Sequence, residues 1–141
     1  MVPLITVETE LYNLLKSHPT LQSLVGARVY PLVLPQGTAL PAITFQRAGT
    51  MLRGRIGGPS VLSDRPGLYG VRIQLDCWAR NYEGVINLAD KVYSVLENYR
   101  GPMGRLTVQL ADPVLVIDQY EDDTGLYRRT VDVIVWHERV T

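Results

Sequence analysis

The sequence predicts an α+β fold: a mostly antiparallel β-sheet with two main helices packed on one face and a long extended arm or loop. Three observations carry this reading. From Leu68 to Ala79 apolar and polar residues alternate, with Tyr69, Val71, Ile73, Leu75 and Cys77 on one face and Arg72, Gln74, Asp76 and Trp78 on the other, the period-two pattern of a half-buried strand. At Asn81 the period changes, and Val85, Leu88, Ala89, Val92, Leu96 and Tyr99 fall on one helical stripe. Finally, Leu106–Tyr120 and Tyr127–His137 read as two extended segments closed by the acidic turn Glu121-Asp122-Asp123-Thr124-Gly125, the signature of a hairpin.

Taken in order, Val7–Ser17 is a first helix entered through Thr6, with Leu11, Leu14 and Leu15 as its stripe. Glu8 and Glu10 sit in its first turn, where they suit the helix dipole. His18-Pro19 stops it, and a helical turn, Thr20–Leu24, leads to Gly26. Arg28–Leu34 is extended, but Pro31 and Pro35 remove ladder donors, so this strand is short or lies at an edge. Pro41–Arg47 is the next strand, with Ile43 and Phe45 on one face. From Gly49 to Gly67 hydrophobic periodicity gives way to Gly, Arg, Ser and Pro. So long a stretch in a compact domain is uncommon, and it reads either as a solvated loop or as a projecting hairpin arm with its tip near Gly57-Gly58-Pro59. Arg53, Arg55 and Arg65 give it local positive charge. The helix after the central strand is capped by Asn81 and stopped by Gly101. Asp112-Pro113 predicts a bend in Leu106–Tyr120. In the last strand Val131, Val133 and Val135 face one way, and Thr130, Asp132, Ile134 and Trp136 the other.

At 141 residues the chain fits one domain, residues 1–141, able to bury a core without staples. Fourteen basic and fourteen acidic residues cancel, which disfavours a protein that binds nucleic acid by neutralising phosphates. The single cysteine, Cys77, cannot form an intrachain disulfide and lies on the core side of its strand. No signal peptide or bilayer-spanning run is visible, which places the chain in a reducing cytoplasm when it is made.

Catalytic motifs are missing: the chain has no GxSxG, HExxH or CxxC, and its Gly-rich loop lacks GK[ST]. No catalytic residue, cofactor or metal ligand is expected, and neither His18 nor His137 has a partner at metal-ligand spacing. The far face of the sheet is the candidate site, where Asp76, Asp132, Trp78 and Trp136 gather if their strands are neighbours. Paired carboxylates beside aromatic rings suit acid–base work or ligand binding, so a small ligand-binding enzyme is one reading. An open face with two Trp residues also suits a protein partner, and this reading is preferred because Trp is enriched at interface hot spots. Glu121, Asp122 and Asp123 form a solubilising turn or, in a ring, the lining of a bore through which DNA slides without sticking.

Three stretches carry a family resemblance: LVGARVYPLVLPQGTALPAITFQR early, VRIQLDCWARNYEGVINLADKVYSVL in the centre and DTGLYRRTVDVIVWHE late. They resemble the tail completion proteins of siphophages, also called head-tail joining or tail terminator proteins. The arm from Gly49 to Gly67 is poorly matched. The resemblance implies a non-enzymatic virion protein, made in the bacterial host cytoplasm, that forms a ring, commonly a homohexamer, at the head-proximal end of the tail. Such a ring terminates the tail tube and joins it to the neck. The implied partners are further copies of the chain, the tail tube protein and a neck or connector protein, with DNA only in passage and no membrane. A neck or head-completion connector is the neighbouring alternative. A ring needs two different patches per subunit, assigned here to the arm at Arg53 and Arg55 and to the sheet face at Asp76, Trp78 and Trp136.

Overall fold

The computed structural model describes residues 6–52 and 68–138. Helices α1 (Val7–Ser17) and α2 (Pro19–Val25) are followed by strands β1 (Val29–Pro31), β2 (Ala42–Leu52) and β3 (Leu68–Ala79). Helix α3 (Tyr82–Leu96) comes next, then β4 (Gly101–Met103), β5 (Leu106–Glu121) and β6 (Leu126–Glu138). The strands form one six-stranded sheet in the order β1-β2-β3-β6-β5-β4, antiparallel except for the β1/β2 pair. The α+β expectation therefore holds, with the helical turn at Thr20–Leu24 grown to a short third helix. β1 is both short and at an edge.

The local signals act as expected at both main helices. The Thr6 side chain accepts from the Thr9 backbone N–H at 3.2 Å, and Asn81 Oδ1 accepts from Gly84 N at 2.6 Å, each satisfying an orphan donor of a first turn. His18 closes α1 through its backbone and opens α2 through its ring, where Nδ1 accepts from Thr20 N at 3.3 Å. α3 buries Val85, Leu88, Ala89, Val92 and Leu96 against the sheet. Each large member of that stripe contributes roughly 1.5–3 kcal/mol of transfer free energy. It ends at Leu96 rather than near Gly101, because Asn98 adopts the left-handed conformation (φ 56°) and breaks the ladder first. Tyr99, expected on the helical stripe, instead lies half-buried in the connection, and its backbone carbonyl accepts from Ala111 N at 2.9 Å.

One core unites the three helices with one face of the sheet, through Leu11, Leu15, Leu21, Leu88, Ile43, Ile73, Leu75, Val131, Val133 and Val135 among others. Cys77 is completely buried there, and burial pushes its thiol far above the ordinary cysteine range. α1 is also tied to the β4–β5 turn. Glu10, only 8% exposed, accepts from Arg105 N at 3.2 Å. Gly104, at φ 58°, lies so close that a Cβ there would stand 1.5 Å from Glu10 Oε2.

Three bulges interrupt the ladders, at Ala48, Gln109 and Val114. Such insertions bend strands and deepen twist, and the sheet curls. The bend expected at Asp112-Pro113 is realised as the Val114 bulge, while the strand runs on to Glu121. β2 also continues beyond the expected Arg47. Gly49–Leu52 pair with Tyr69–Arg72, so two strands lead into and out of residues 53–67. Those residues, including Arg53, Arg55, Arg65 and the Gly57-Gly58-Pro59 tip, lie outside the described set.

Gly70 stands opposite Trp136 across the β3/β6 ladder, and the indole lies over it, within 2.5 Å of where a Cβ would be. Gly70→Val is expected to destabilise the protein by about 1–3 kcal/mol, read as a lower midpoint in thermal or urea unfolding. Gly49→Ala, which meets nothing within 4 Å, is the control and should stay within about 0.5 kcal/mol.

Candidate functional site

The far face of the sheet, away from the helices, is where the sequence places its polar and aromatic residues. β3 and β6 are neighbours, so Asp76 and Asp132 do share that face, Asp132 opposite Gln74 and Asp76 opposite Thr130. Each carboxylate has its own donors. Asp76 accepts from Thr130 Oγ1 and, at 3.3 Å, from Gln74 Nε2, and Asp132 forms an ion pair with Arg72. Both are buried, at 7% and 5% exposure. This arrangement stitches strands together.

The two Trp residues do not gather. Trp78 pairs with Arg128 and Trp136 with Gly70, eight positions apart along the ladder, roughly 26 Å at a rise of about 3.3 Å per residue. Nor is the face open around Asp76 and Trp78, as the sequence suggests. Trp78 is 7% exposed, its Nε1 donates to Thr44 Oγ1 at 3.0 Å, and the Arg128 guanidinium stacks on its ring at 5.1 Å. Ala42 and Thr44 beside it are also buried. The curl of the sheet and the loop after β1 close this end of the face. What stays accessible is a groove of about 560 Å³ between that loop and the hairpin turn, lined by Leu32, Val33, Leu40, Trp78, Arg80 and Leu126.

The acidic turn closes the β5/β6 hairpin as expected. Gly125 N donates to Glu121 O at 2.8 Å, and Glu121 also accepts from Thr124 Oγ1 at 3.3 Å. Arg128 lies 3.9 Å from the Glu121 carboxylate, while Asp122 and Asp123 are exposed.

Two features escape the sequence reading. One is a clip between α3 and the hairpin. Tyr82 donates its hydroxyl proton to Asp118, and Arg129 grips the same carboxylate from Nε at 2.6 Å and from a terminal nitrogen at 2.9 Å. The Arg129 hydrogen bonds above all hold the Asp118 carboxyl below its ordinary range, against burial, which pushes it up, and with a smaller contribution from Tyr82. The same contacts raise Arg129. Burial is the strongest single influence on Glu8 and works against its ionisation, but the Arg47 hydrogen bond at 2.5 Å, a bond from Glu8's own backbone and the Arg47 charge together lower its pKa.

The second missed feature is the apolar surface itself. Among the described residues, the exposed large hydrophobics fall into two clusters. Leu32 and Val33 are 68% and 71% exposed; Val114, Leu115, Val116, Ile117 and Tyr120 of β5 and Tyr82, Ile86 and Tyr93 of α3 are the others, with Tyr82 reaching β5 through Asp118. The run Val114-Leu115-Val116-Ile117 breaks alternation, the pattern of a strand covered on both faces. Here both faces are bare, and a sequence alone cannot distinguish the two cases.

A curled sheet backed by helices, with its carboxylates tied into strand pairing and its apolar residues turned outward, defines a structural protein that works by contact. The chain belongs to the family of tail completion protein gp17, whose profile matches residues 9–138. It is accordingly a non-enzymatic structural component of a virion tail. Its fold is similar to that of a chain in the virion of a native gene transfer agent (GTA) particle, with a TM-score of 0.71 and 15% identity over 94% of this chain and 95% of that one. No curated protein matches it in sequence.

The Asp118 clip gives a pH signature. Because the folded-state pKa is depressed, its contribution is complete above the ordinary carboxylate pKa of about 3.9 and is lost as pH falls through the folded value. Asp118→Asn should therefore lower the unfolding midpoint at neutral pH and lose less of it than wild type between about pH 5 and pH 2, as followed by circular dichroism.

Proposed function

We propose that the protein forms a ring at the head-proximal end of the tail tube, where it ends tube polymerisation and joins the tail to the neck. Membership of the tail completion family over residues 9–138 carries this reading. A protein that caps a tube must contact copies of itself and two unlike partners, and a surface with two separate apolar clusters suits that task. The ring is proposed to be a homohexamer, with the tail tube protein on one side and a neck or connector protein on the other. Particles made without the protein, viewed by electron microscopy, should show overlong tails together with unattached heads and tails. Tails of normal length that simply fail to join heads would instead favour a neck connector.

Within the ring, the segment carrying Arg53 and Arg55 is proposed to reach a neighbouring subunit, and Glu121, Asp122 and Asp123 to face the bore. Asp76 and Trp78, buried in their own subunit, serve by holding β2, β3 and β6 together, and Trp136 by covering Gly70. Reversing Arg53 and Arg55 to Glu should reduce the ring fraction in sedimentation, and converting the three turn carboxylates to amides should slow DNA release from assembled particles. An unchanged sedimentation profile would remove the arm from the contact, and unchanged release would remove the turn from the bore.

A further inference from the structure

We propose that copies of this chain join edge to edge, the open part of β2 in one copy, residues 46–52, pairing with the open part of β5, residues 112–121, in the next. Three observations select a second copy as the occupant. The first is the outline of the sheet. β1 covers the outer side of β2 only at Ile43–Phe45, and β4 covers that of β5 only at Leu106–Val108, with one further bond from Ala111 N to Tyr99 O. Among the described residues no strand lies beside 46–52 on that side of β2, nor beside 112–121 on the outer side of β5. The open part of β2 lies at the Tyr69 end of the β3/β6 ladder, and that of β5 extends to the Trp78 end. The two margins are thus notched at opposite corners, and a copy displaced along the strand direction sets one notch into the other. Unpaired edges of this kind are templates for pairing. The second observation is direction. β2, β3, β6 and β5 are antiparallel in turn, so β2 and β5 run opposite ways within one subunit. Two copies in the same orientation therefore bring these strands together antiparallel, as a head-to-tail contact between unlike patches.

The third is charge. From Leu11 to Ser63 the chain carries Lys16, Arg28, Arg47, Arg53 and Arg55 and no acidic residue; from Leu106 to Tyr127 it carries Asp112, Asp118, Glu121, Asp122 and Asp123 and no basic one. The first stretch contains β1 and β2 and the second contains β5, so a chain of zero net charge places opposite signs on opposite margins of its sheet. Inside the subunit Arg47 is answered by Glu8, Asp118 by Arg129 and Glu121 by Arg128. Asp112, Asp122 and Asp123 are exposed and make no ion pair among the described residues. Antiparallel pairing carries the chain after Leu52, which begins with Arg53, toward Asp112 of the next copy. The same carboxylates disfavour β5 against β5, because like charges facing each other across strands repel. Charge of this kind selects a partner, and the matching margin is the chain's own. Only the closure of these contacts into a ring rests on the function proposed above; the contact itself does not.

Two experiments in assembled particles test the contact. In the double variant Gly49→Cys/Val116→Cys both positions are exposed, a Cβ at Gly49 meets nothing within 4 Å, and the native Cys77 is completely buried. A short bis-maleimide therefore reads only the introduced thiols. The double variant should give a ladder of multimers on a denaturing gel, and each single variant only monomer. A dimer from Val116→Cys alone would mean β5 against β5 and would overturn the proposal, as would the absence of multimers in particles that contain the double variant. The second experiment is a charge swap, which separates a second copy from any other partner. Asp112→Arg and Arg53→Asp should each lower incorporation into particles by about tenfold with the unfolding midpoint little changed, and the two together should restore it. Wild-type incorporation of the single variants, or losses that the combination fails to recover, would assign these edges to a different protein and overturn the contact. A ladder in particles whose tails are unaffected by deletion of the protein would keep the contact and sink the terminator reading. Overlong tails on deletion without any ladder would do the reverse.

Discussion

Twelve residue pairs between β3 and β6, Leu68–Ala79 against Glu138–Tyr127, are the interaction on which the rest of the molecule depends. Every other strand is attached to one side or the other of this ladder, and α3 lies across it. One face carries Val71, Ile73, Leu75, Cys77, Val131, Val133 and Val135, all buried beneath helices. The other carries Asp76, Asp132, Trp78 and Trp136, which use hydrogen bonds, an ion pair and a ring over a glycine to fix the same register. Register matters because a slip of one residue would send each set to the wrong side.

That ladder also explains what could be read from the residues alone. Alternation in β3 and β6 is a local property, so the strands, their inward valines and the buried cysteine were legible. The caps at Thr6 and Asn81 were legible for the same reason. Neighbour relations are not local. The far face looked open because the groups that close it, Arg128 over Trp78 and the loop carrying Leu32–Leu40, come from other parts of the chain. β4, three residues reading Gly-Pro-Met, has no alternation to detect. The parallel pairing of β1 leaves no mark in its own composition.

The same contrast applies to function. The carboxylates that suggested acid–base chemistry are each held by their own donors, Asp132 by Arg72 and Asp76 by Thr130 and Gln74. The apolar run at Val114–Ile117, part of the segment read as extended from Leu106 to Tyr120, is 43–47% exposed. Family membership over nearly the whole chain and the exposed apolar side chains agree on a protein of contacts. The large apolar side chains left exposed lie not in the middle of the sheet but on the loop after β1, on β5 and on α3.

The order of synthesis adds a consequence. β6 is the last of the described strands to leave the ribosome, yet it occupies an interior place in the sheet, between β3 and β5. Until it arrives, β1-β2-β3 and β4-β5 are two fragments, each with a bare inner margin, although Arg105 is already available to engage Glu10. Nascent chains would thus be most vulnerable to clumping just before β6 emerges.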